Sequence, residues 1–123
     1  MTTILLIQFF KEPPLGISSL EVALSQRFGS QLVALDSFSD GSNLAYVRKM
    51  IEESEKINAI IWENEGGTLK GVQPIFNALL KKKQVVSLIT NSSQGVIAKM
   101  CKAMESKKVE GETELIEVVK TMN

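Results

Sequence analysis

Apolar runs and amphipathic stretches alternate along this chain. Residues 4–10, ILLIQFF, form an almost continuous apolar run, which is the pattern of a strand covered on both faces. Shorter apolar runs follow at residues 31–35, 59–62 and 85–90. The four runs predict four strands, and a short extended piece near residues 107–110 would make a fifth.

Helical spacing of apolar residues fills the intervals between these runs. Ser18 and Glu21 have the spacing of a capping box, and Gly29 is a suitable place for that helix to end. Pro74 suits the first turn of a later helix. A last helix is expected around residues 115–119. The predicted inner faces of the first four helices are Ile17, Leu20, Leu24, Phe28; Leu44, Val47, Ile51, Ile57; Ile75, Phe76, Leu79, Leu80; and Ile97, Met100, Cys101, Met104.

This alternation predicts a single α/β domain over residues 1–123. Because helices that join parallel strands make right-handed crossovers, we expect a flavodoxin-like, doubly wound parallel sheet with strand order 2-1-3-4(-5) and helices on both faces. Such a sheet binds ligands beyond the carboxyl ends of its strands, where the strand order reverses. Here that point lies between the first and third strands, beside residues 63–71, ENEGGTLKG.

Polar residues and glycines follow the predicted strand ends. Hydroxyl and amide groups suit a sugar, and glycine allows a ligand to approach the backbone closely. Turns and helix caps require the same residue types, so a structural interpretation stays open for each of them. The candidate ligand-binding residues are Gln8, Asp36, Asp40, Glu63, Gly67, Thr68, Thr90, Asn91 and Ser92.

Two glutamates are the candidate catalytic residues. Glu63 and Glu65 are two positions apart, so on a strand they would point the same way and could share a proton or a cation. A surface loop that only turns the chain is the alternative interpretation of this stretch.

Composition excludes several classes of chemistry. The 123 residues include no histidine, which removes histidine general bases and histidine zinc sites. Fourteen basic residues balance fourteen acidic ones, so we expect neither nucleic acid nor an anionic membrane as a partner. We interpret the lysine run at residues 81–83 as complementing the C-terminus of its own helix. We predict no cofactor and no bound metal.

The cysteine content indicates a reducing compartment. Cys101 is the single cysteine and has no partner for an intramolecular disulfide, so we expect a buried core residue in a cytoplasmic protein. The apolar run at residues 4–10 is too short for a signal sequence or a membrane span.

The central third of the chain resembles a TIR domain. The similarity is carried, in order, by Leu35-Asp36, Asp40-Gly41 with its polar turn, Ile51-Glu52-Glu53-Ser54 and the strand at Ile60-Ile61. Gly67-Thr68 is similar to the related nucleoside 2-deoxyribosyltransferases. The resemblance covers roughly residues 4–90, and it implies a nucleotide- or nucleoside-derived ligand and chemistry at an N-glycosidic bond.

The catalytic glutamate of these families has no counterpart here. The matching position is Pro74 by the TIR-like spacing or Gly71 by the transferase-like spacing, and no acid lies between Thr68 and Lys83. A neutral residue cannot stabilise the positive charge that develops on the sugar. We therefore expect an interaction or regulatory domain that binds such a ligand without catalysis, with a protein partner or a second copy as a further binding partner.

Two other functions stay open. One is an N-glycoside-cleaving or deoxyribosyl-transferring enzyme that uses Glu63 or Glu65. The other is a receiver-like signalling module, because Glu63 and Thr90 end the third and fourth strands, although the first strand lacks the acid pair that binds magnesium.

Overall fold

The computed structural model describes residues 2–12, 15–39, 41–64, 72–92, 95–104 and 106–122. The strands are β1 (Thr2–Phe9), β2 (Leu32–Asp36), β3 (Lys56–Glu63), β4 (Val86–Thr90) and β5 (Lys107–Lys108). The helices are α1 (Ser19–Phe28), α2 (Gly41–Glu53), α3 (Gln73–Lys81), α4 (Gly95–Lys102) and α5 (Glu112–Met122).

All five strands are parallel and form one sheet in the order β2-β1-β3-β4-β5. The predicted flavodoxin-like architecture and strand order are therefore confirmed, including the fifth strand. That strand has only two residues, so it adds little to the sheet. None of the helices in the described part of the chain combines the length and the apolar character that a membrane span requires.

The two faces of the sheet bury separate cores. Leu5, Ile7 and Phe9 pack on the face that is covered by α2, α3 and α4, which we call the α2–α4 face. Ile4 and Leu6 pack on the opposite face under α1 and α5, which we call the α1/α5 face. Because successive strand residues alternate between faces, coverage of both explains the continuous apolar run in β1.

Helix α1 begins and ends as its sequence predicts. The backbone N–H of Glu21 donates to Ser18 Oγ at 3.1 Å, which caps the helix N-terminus. Gly29 follows the last residue with φ 52°, a conformation that glycine adopts without strain. The prediction for Ile17 was wrong: it precedes the cap and is 70% exposed.

Helix α2 is shorter than predicted. It ends at Glu53, so Ile57 and Lys56 belong to β3, and the prediction that Ile57 lies on the inner face of α2 was wrong. Buried Ser54 follows the helix: its Oγ donates to Met50 O at 2.6 Å and lies 2.8 Å from Thr3 Oγ1. This pair of hydroxyls joins the end of α2 to the start of β1.

The lysines after α3 differ from one another in their contacts. Lys81 lies in the last turn of α3, where a lysine complements the C-terminus of its own helix as expected. Lys82 Nζ instead donates to Glu52 O at 2.9 Å and to Ser54 O at 2.7 Å, both at the C-terminus of α2. The prediction that all three lysines serve their own helix was therefore wrong for Lys82.

The outer edge of β2 is protected at both ends by local hydrogen bonds. The N–H of Leu32 donates to Gly29 O, and the N–H of Asp36 donates to Ser39 Oγ at 2.9 Å. Ser39 N–H returns a bond to Asp36 O at 3.1 Å. These bonds shorten the stretch of backbone that a second sheet could pair with.

Candidate functional site

The carboxyl ends of β1, β2 and β3 lie side by side. Ser37 N–H donates to Gln8 O and Asn64 N–H donates to Phe9 O, each at 3.0 Å. These bonds continue the sheet by one residue on each side of β1. They also place the first residues after β2 and β3 next to the point where the strand order reverses.

Asn91 clamps the ends of β3 and β4 together. Its Oδ1 accepts the N–H of Glu63 at 2.8 Å, and its Nδ2 donates to Glu63 O, also at 2.8 Å. Both ends of the amide are therefore used inside the protein. Asn91 holds the rim in shape, and a ligand could engage its side chain only by breaking these bonds.

Thr90 and Ser92 are also used within the protein. Thr90 Oγ1 accepts the N–H of Ser92 at 3.0 Å, and both residues are buried. Thr90 is also hydrogen-bonded to the thiol of Cys101. The predicted site residues on β4 thus shape the turn into α4.

Asp36 and Ser37 organise the turn after β2. Asp36 Oδ1 accepts the N–H of Phe38 at 2.7 Å, which is an Asx-turn. Ser37 Oγ accepts the N–H of Phe10 at 3.2 Å and so joins this turn to the segment after β1. The second carboxylate oxygen of Asp36 takes no part in that turn.

Gln8 differs from the predicted residues at the ends of β2 and β4 because it has a buried side-chain atom without a partner among the described residues. It is 3% exposed, and its Oε1 accepts no hydrogen bond within the described part of the chain. Its strand partners are Asp36 on one side and Trp62 on the other. By alternation from Ile4 and Leu6, its side chain lies on the α1/α5 face. A buried acceptor without a partner costs about 1–3 kcal/mol.

Glu63 is a fixed but unengaged carboxylate. Asn91 binds its backbone on both sides, whereas its side chain makes no hydrogen bond or ion pair among the described residues. By alternation from Ile61 it lies on the α2–α4 face, opposite to Gln8. Glu63 is half-buried, so solvent or a ligand can reach its carboxylate.

Cys101 is a core residue, as predicted. Burial raises the pKa of its thiol to about 11; the hydrogen bond to Thr90 opposes this rise, and the negative charge of Glu63 adds to it. The thiolate is therefore scarce at neutral pH, and Cys101 is unsuited to act as a nucleophile. The Glu63 charge therefore acts on Cys101, which lies in the last turn of α4.

Four predicted site residues cannot be compared with the structure. Asp40, Glu65, Gly67 and Thr68 lie outside the described residues. The suggested pairing of Glu63 with Glu65 therefore stays a prediction.

The sequence interpretation missed Glu21 as a site residue because it assigned Glu21 only to the capping box. Burial raises the pKa of the Glu21 carboxyl, and the nearby charge of Asp36 raises it further. Helix α1 thus brings a second carboxylate to the end of β2. The sequence could have indicated this role, because Glu21 lies three residues after the N-cap of the helix that follows β1. The first turn of such a helix faces the carboxyl edge of the sheet.

Exposed apolar side chains surround the same edge. Leu15 and Ile17 lie between β1 and α1, Phe38 follows β2, and Val96 is in the first turn of α4. Phe38 is 46% exposed although it is aromatic. We call these four residues the apolar rim; their exposure suits contact with another molecule.

No group of three or more acidic or cysteine side chains within the described part of the chain is placed to hold a metal ion. A groove of about 290 Å³ lies elsewhere, between α2 and α3, and its lining includes Arg48, Pro74 and Lys81. It contains none of the predicted site residues.

Comparison of the chain with protein-family models, with curated proteins and with solved structures gives no match.

Proposed function

We propose that this chain is a TIR-like interaction or regulatory domain that binds a nucleotide- or nucleoside-derived ligand at the carboxyl edge of its sheet without transforming it. The observation that carries this proposal is Gln8, a buried amide with an unpartnered oxygen beside the point where the strand order reverses. The resemblance to TIR domains supplies the ligand class.

The position of Gln8 supports binding in particular. Most buried polar atoms in proteins have a hydrogen-bond partner, so an exception needs an explanation. A ligand group that donates to Gln8 Oε1 would supply the missing bond at the place where parallel sheets of this kind bind ligands. The unbound protein would then carry a cost that ligand binding removes.

The other polar groups of the rim support binding over catalysis. Asn91, Thr90 and Asp36 already hold backbone or side-chain partners of the protein. These bonds hold the three residues as a rigid frame, and neither the amide of Asn91 nor the hydroxyl of Thr90 is a general base on its own. Where the resemblance to TIR domains and deoxyribosyltransferases would place the catalytic glutamate, this chain has Pro74 or Gly71.

Thermal melting in the presence of NAD, adenosine, AMP or ribose 5-phosphate tests the proposal. We expect at least one of these compounds to stabilise the protein, by about 2.7 kcal/mol at a hundredfold excess over its dissociation constant. Chromatography of the mixture should recover the compound intact. Failure of all four to stabilise the protein, or release of free base, would contradict the proposal.

Two variants make this experiment specific to the site. Gln8→Leu should abolish ligand stabilisation, because leucine fills a similar volume without an amide. Asn58→Leu is the matched control: it removes another buried amide from the same face, near the amino end of β3. It should leave ligand stabilisation unchanged.

A second candidate function is an N-glycoside-cleaving or deoxyribosyl-transferring enzyme. The observation in its favour is Glu63, whose backbone is fixed by Asn91 while its carboxylate is unengaged among the described residues. This function predicts release of base from NAD or a nucleoside, and its loss in a Glu63→Gln, Glu65→Gln double variant. Unchanged release in that variant would exclude a role for either glutamate.

The proposal includes a protein partner or a second copy of the chain. The apolar rim supports it, since four exposed apolar side chains adjoin one edge of the sheet. Sedimentation velocity of the wild type and of Phe38→Ser would test self-association. A concentration-dependent dimer that Phe38→Ser weakens is expected if a second copy covers the rim; a monomer at every concentration would contradict it.

A further inference from the structure

We infer that the part of the site formed by Gln8, Asp36 and Glu21 binds a positively charged amine rather than a phosphate. We call these three residues the acidic corner. The inference rests on the proposed function for the place of the site, and it narrows the ligand to a nucleotide- or nucleoside-derived compound that carries an ammonium group.

Three elements bring the acidic corner together. Gln8 and Asp36 are strand partners on β1 and β2, and both lie on the α1/α5 face by alternation from Leu6 and Ala34. Adjacent strands are about 4.8 Å apart, so the two side chains start next to each other. Glu21 lies in the first turn of α1, the helix that covers this face, near enough for the Asp36 charge to act on it.

The two carboxylates have no cationic partner in the described part of the chain. The ion pairs of Lys108 with Glu110 and of Lys120 with Glu117 involve neither acid. Lys11 and Arg27, the basic residues nearest to the corner along the chain, form no ion pair with either acid. The raised pKa of Glu21 is consistent with this lack of compensation, since a neighbouring cation would lower it.

The corner therefore offers acceptors and negative charge. Gln8 Oε1 is an unpartnered acceptor, and each ionised carboxylate is an acceptor only. An ammonium group has three N–H donors and a positive charge, so it would bond to Gln8 Oε1 and interact favourably with both acids. A phosphate would meet like charges, and its unprotonated oxygens have no hydrogen to donate.

Nuclear magnetic resonance can test this choice with simple probes. The side-chain amide signal of Gln8, assigned by its absence in Gln8→Leu, is followed during titration with n-butylammonium chloride. A separate titration uses inorganic phosphate at the same ionic strength. We expect a saturable shift with n-butylammonium and none with phosphate. A saturable shift with phosphate, or no shift with n-butylammonium, would overturn the inference.

A charge-matched pair of variants identifies the carboxylates. The Glu21→Gln, Asp36→Asn double variant keeps the side-chain acceptors but removes both charges, and should weaken n-butylammonium binding about tenfold, or 1.4 kcal/mol. Glu52→Gln, Glu53→Gln changes the net charge equally at the end of α2 and should have no effect. Equal weakening in both double variants would overturn the inference, because the net charge of the protein alone would then explain the loss of n-butylammonium binding.

The two proposals fail in different ways. If n-butylammonium binds at Gln8 but no nucleotide or nucleoside stabilises the protein, the amine site stands and the ligand class of the proposed function is wrong. If nucleosides bind but n-butylammonium does not shift the Gln8 signal, the proposed function stands and the amine site is wrong.

Discussion

Two buried amides on the same face of the sheet, Gln8 and Asn58, differ in what lies around them. Gln8 Oε1 lacks a partner within the described residues, and so do both Oδ1 and Nδ2 of Asn58. Asn58 is the third residue of β3, between Ile4 and Ser87 by register, and is 0% exposed. Gln8 lies at the carboxyl end of β1, next to Asp36 on β2. Our proposal assigns a ligand site to the amide at the strand end and none to the amide within the strand.

The difference has an energetic consequence. An unmet hydrogen bond at Asn58 lowers stability without a route for a ligand to restore it. On our proposal, ligand binding removes the same deficit at Gln8. Elsewhere the fold does satisfy buried polar groups, as the hydroxyls of Thr3 and Ser54 show at 2.8 Å.

The largest effect is expected for Asn58→Asp. Burial will keep the new carboxyl neutral, so its folded pKa lies above the unfolded value of about 3.9. Stability is then fully present below the unfolded pKa and falls as the pH rises, by about 4 kcal/mol between pH 3.9 and pH 7. Denaturant unfolding across this pH range measures it. Asn77→Asp on the exposed surface of α3 is the control and should change stability by less than about 0.5 kcal/mol. An equal loss in both variants would show that Asn58 is not in a dry core.

A smaller effect of opposite sign is expected for Asn58→Leu. Leucine has a similar shape and removes two unmet polar atoms, so the free energy of unfolding should rise by about 1–2 kcal/mol. Urea unfolding measures the change. A loss of stability instead would indicate that Asn58 is hydrogen-bonded to a buried water molecule.

Thr3→Val should lower stability by about 1 kcal/mol, because it removes the hydrogen bond between Thr3 and Ser54 from a buried position. Thr3→Ser keeps the hydroxyl and is the matched control for that bond. Urea unfolding of the three proteins gives the comparison with Asn58→Leu. If Thr3→Val were as stable as the wild type, satisfied and unsatisfied polar groups would not differ in this core.

The smallest effect is expected for Glu21→Gln. The raised pKa of Glu21 means that its charged form is disfavoured in the fold, so neutral glutamine should stabilise the protein by a few tenths of a kcal/mol at neutral pH. The difference should disappear below the ordinary carboxyl pKa of 4.5, where wild-type Glu21 is protonated. Melting temperatures at both pH values measure it, and a constant difference would contradict the assignment.

Repetitive features of the sequence predicted the fold well. The apolar run in β1, the cap at Ser18 and the stop at Gly29 each determine local structure through short-range geometry, and all appear as expected. Errors arose at element ends. Ile57 fits the helical spacing of α2, but in the sheet it pairs with Thr3, which is distant in sequence.

The candidate site was predicted less completely than the fold. The sequence placed Gln8, Asp36 and Glu63 at strand ends, because the carboxyl edge follows from the strand order. It could not distinguish the engaged amide of Asn91 from the unpartnered oxygen of Gln8, since that depends on register between strands. Glu21 approaches Asp36 only because α1 packs on the face that Asp36 shares.

The most direct test of the central claim is calorimetric titration of the wild type, Gln8→Leu and Asn58→Leu with the compound that stabilises the protein most. Our account predicts that both variants are folded and at least as stable as the wild type, that Asn58→Leu binds with unchanged affinity and that Gln8→Leu does not bind detectably. Binding by Gln8→Leu with wild-type affinity would contradict the claim that its amide holds the ligand.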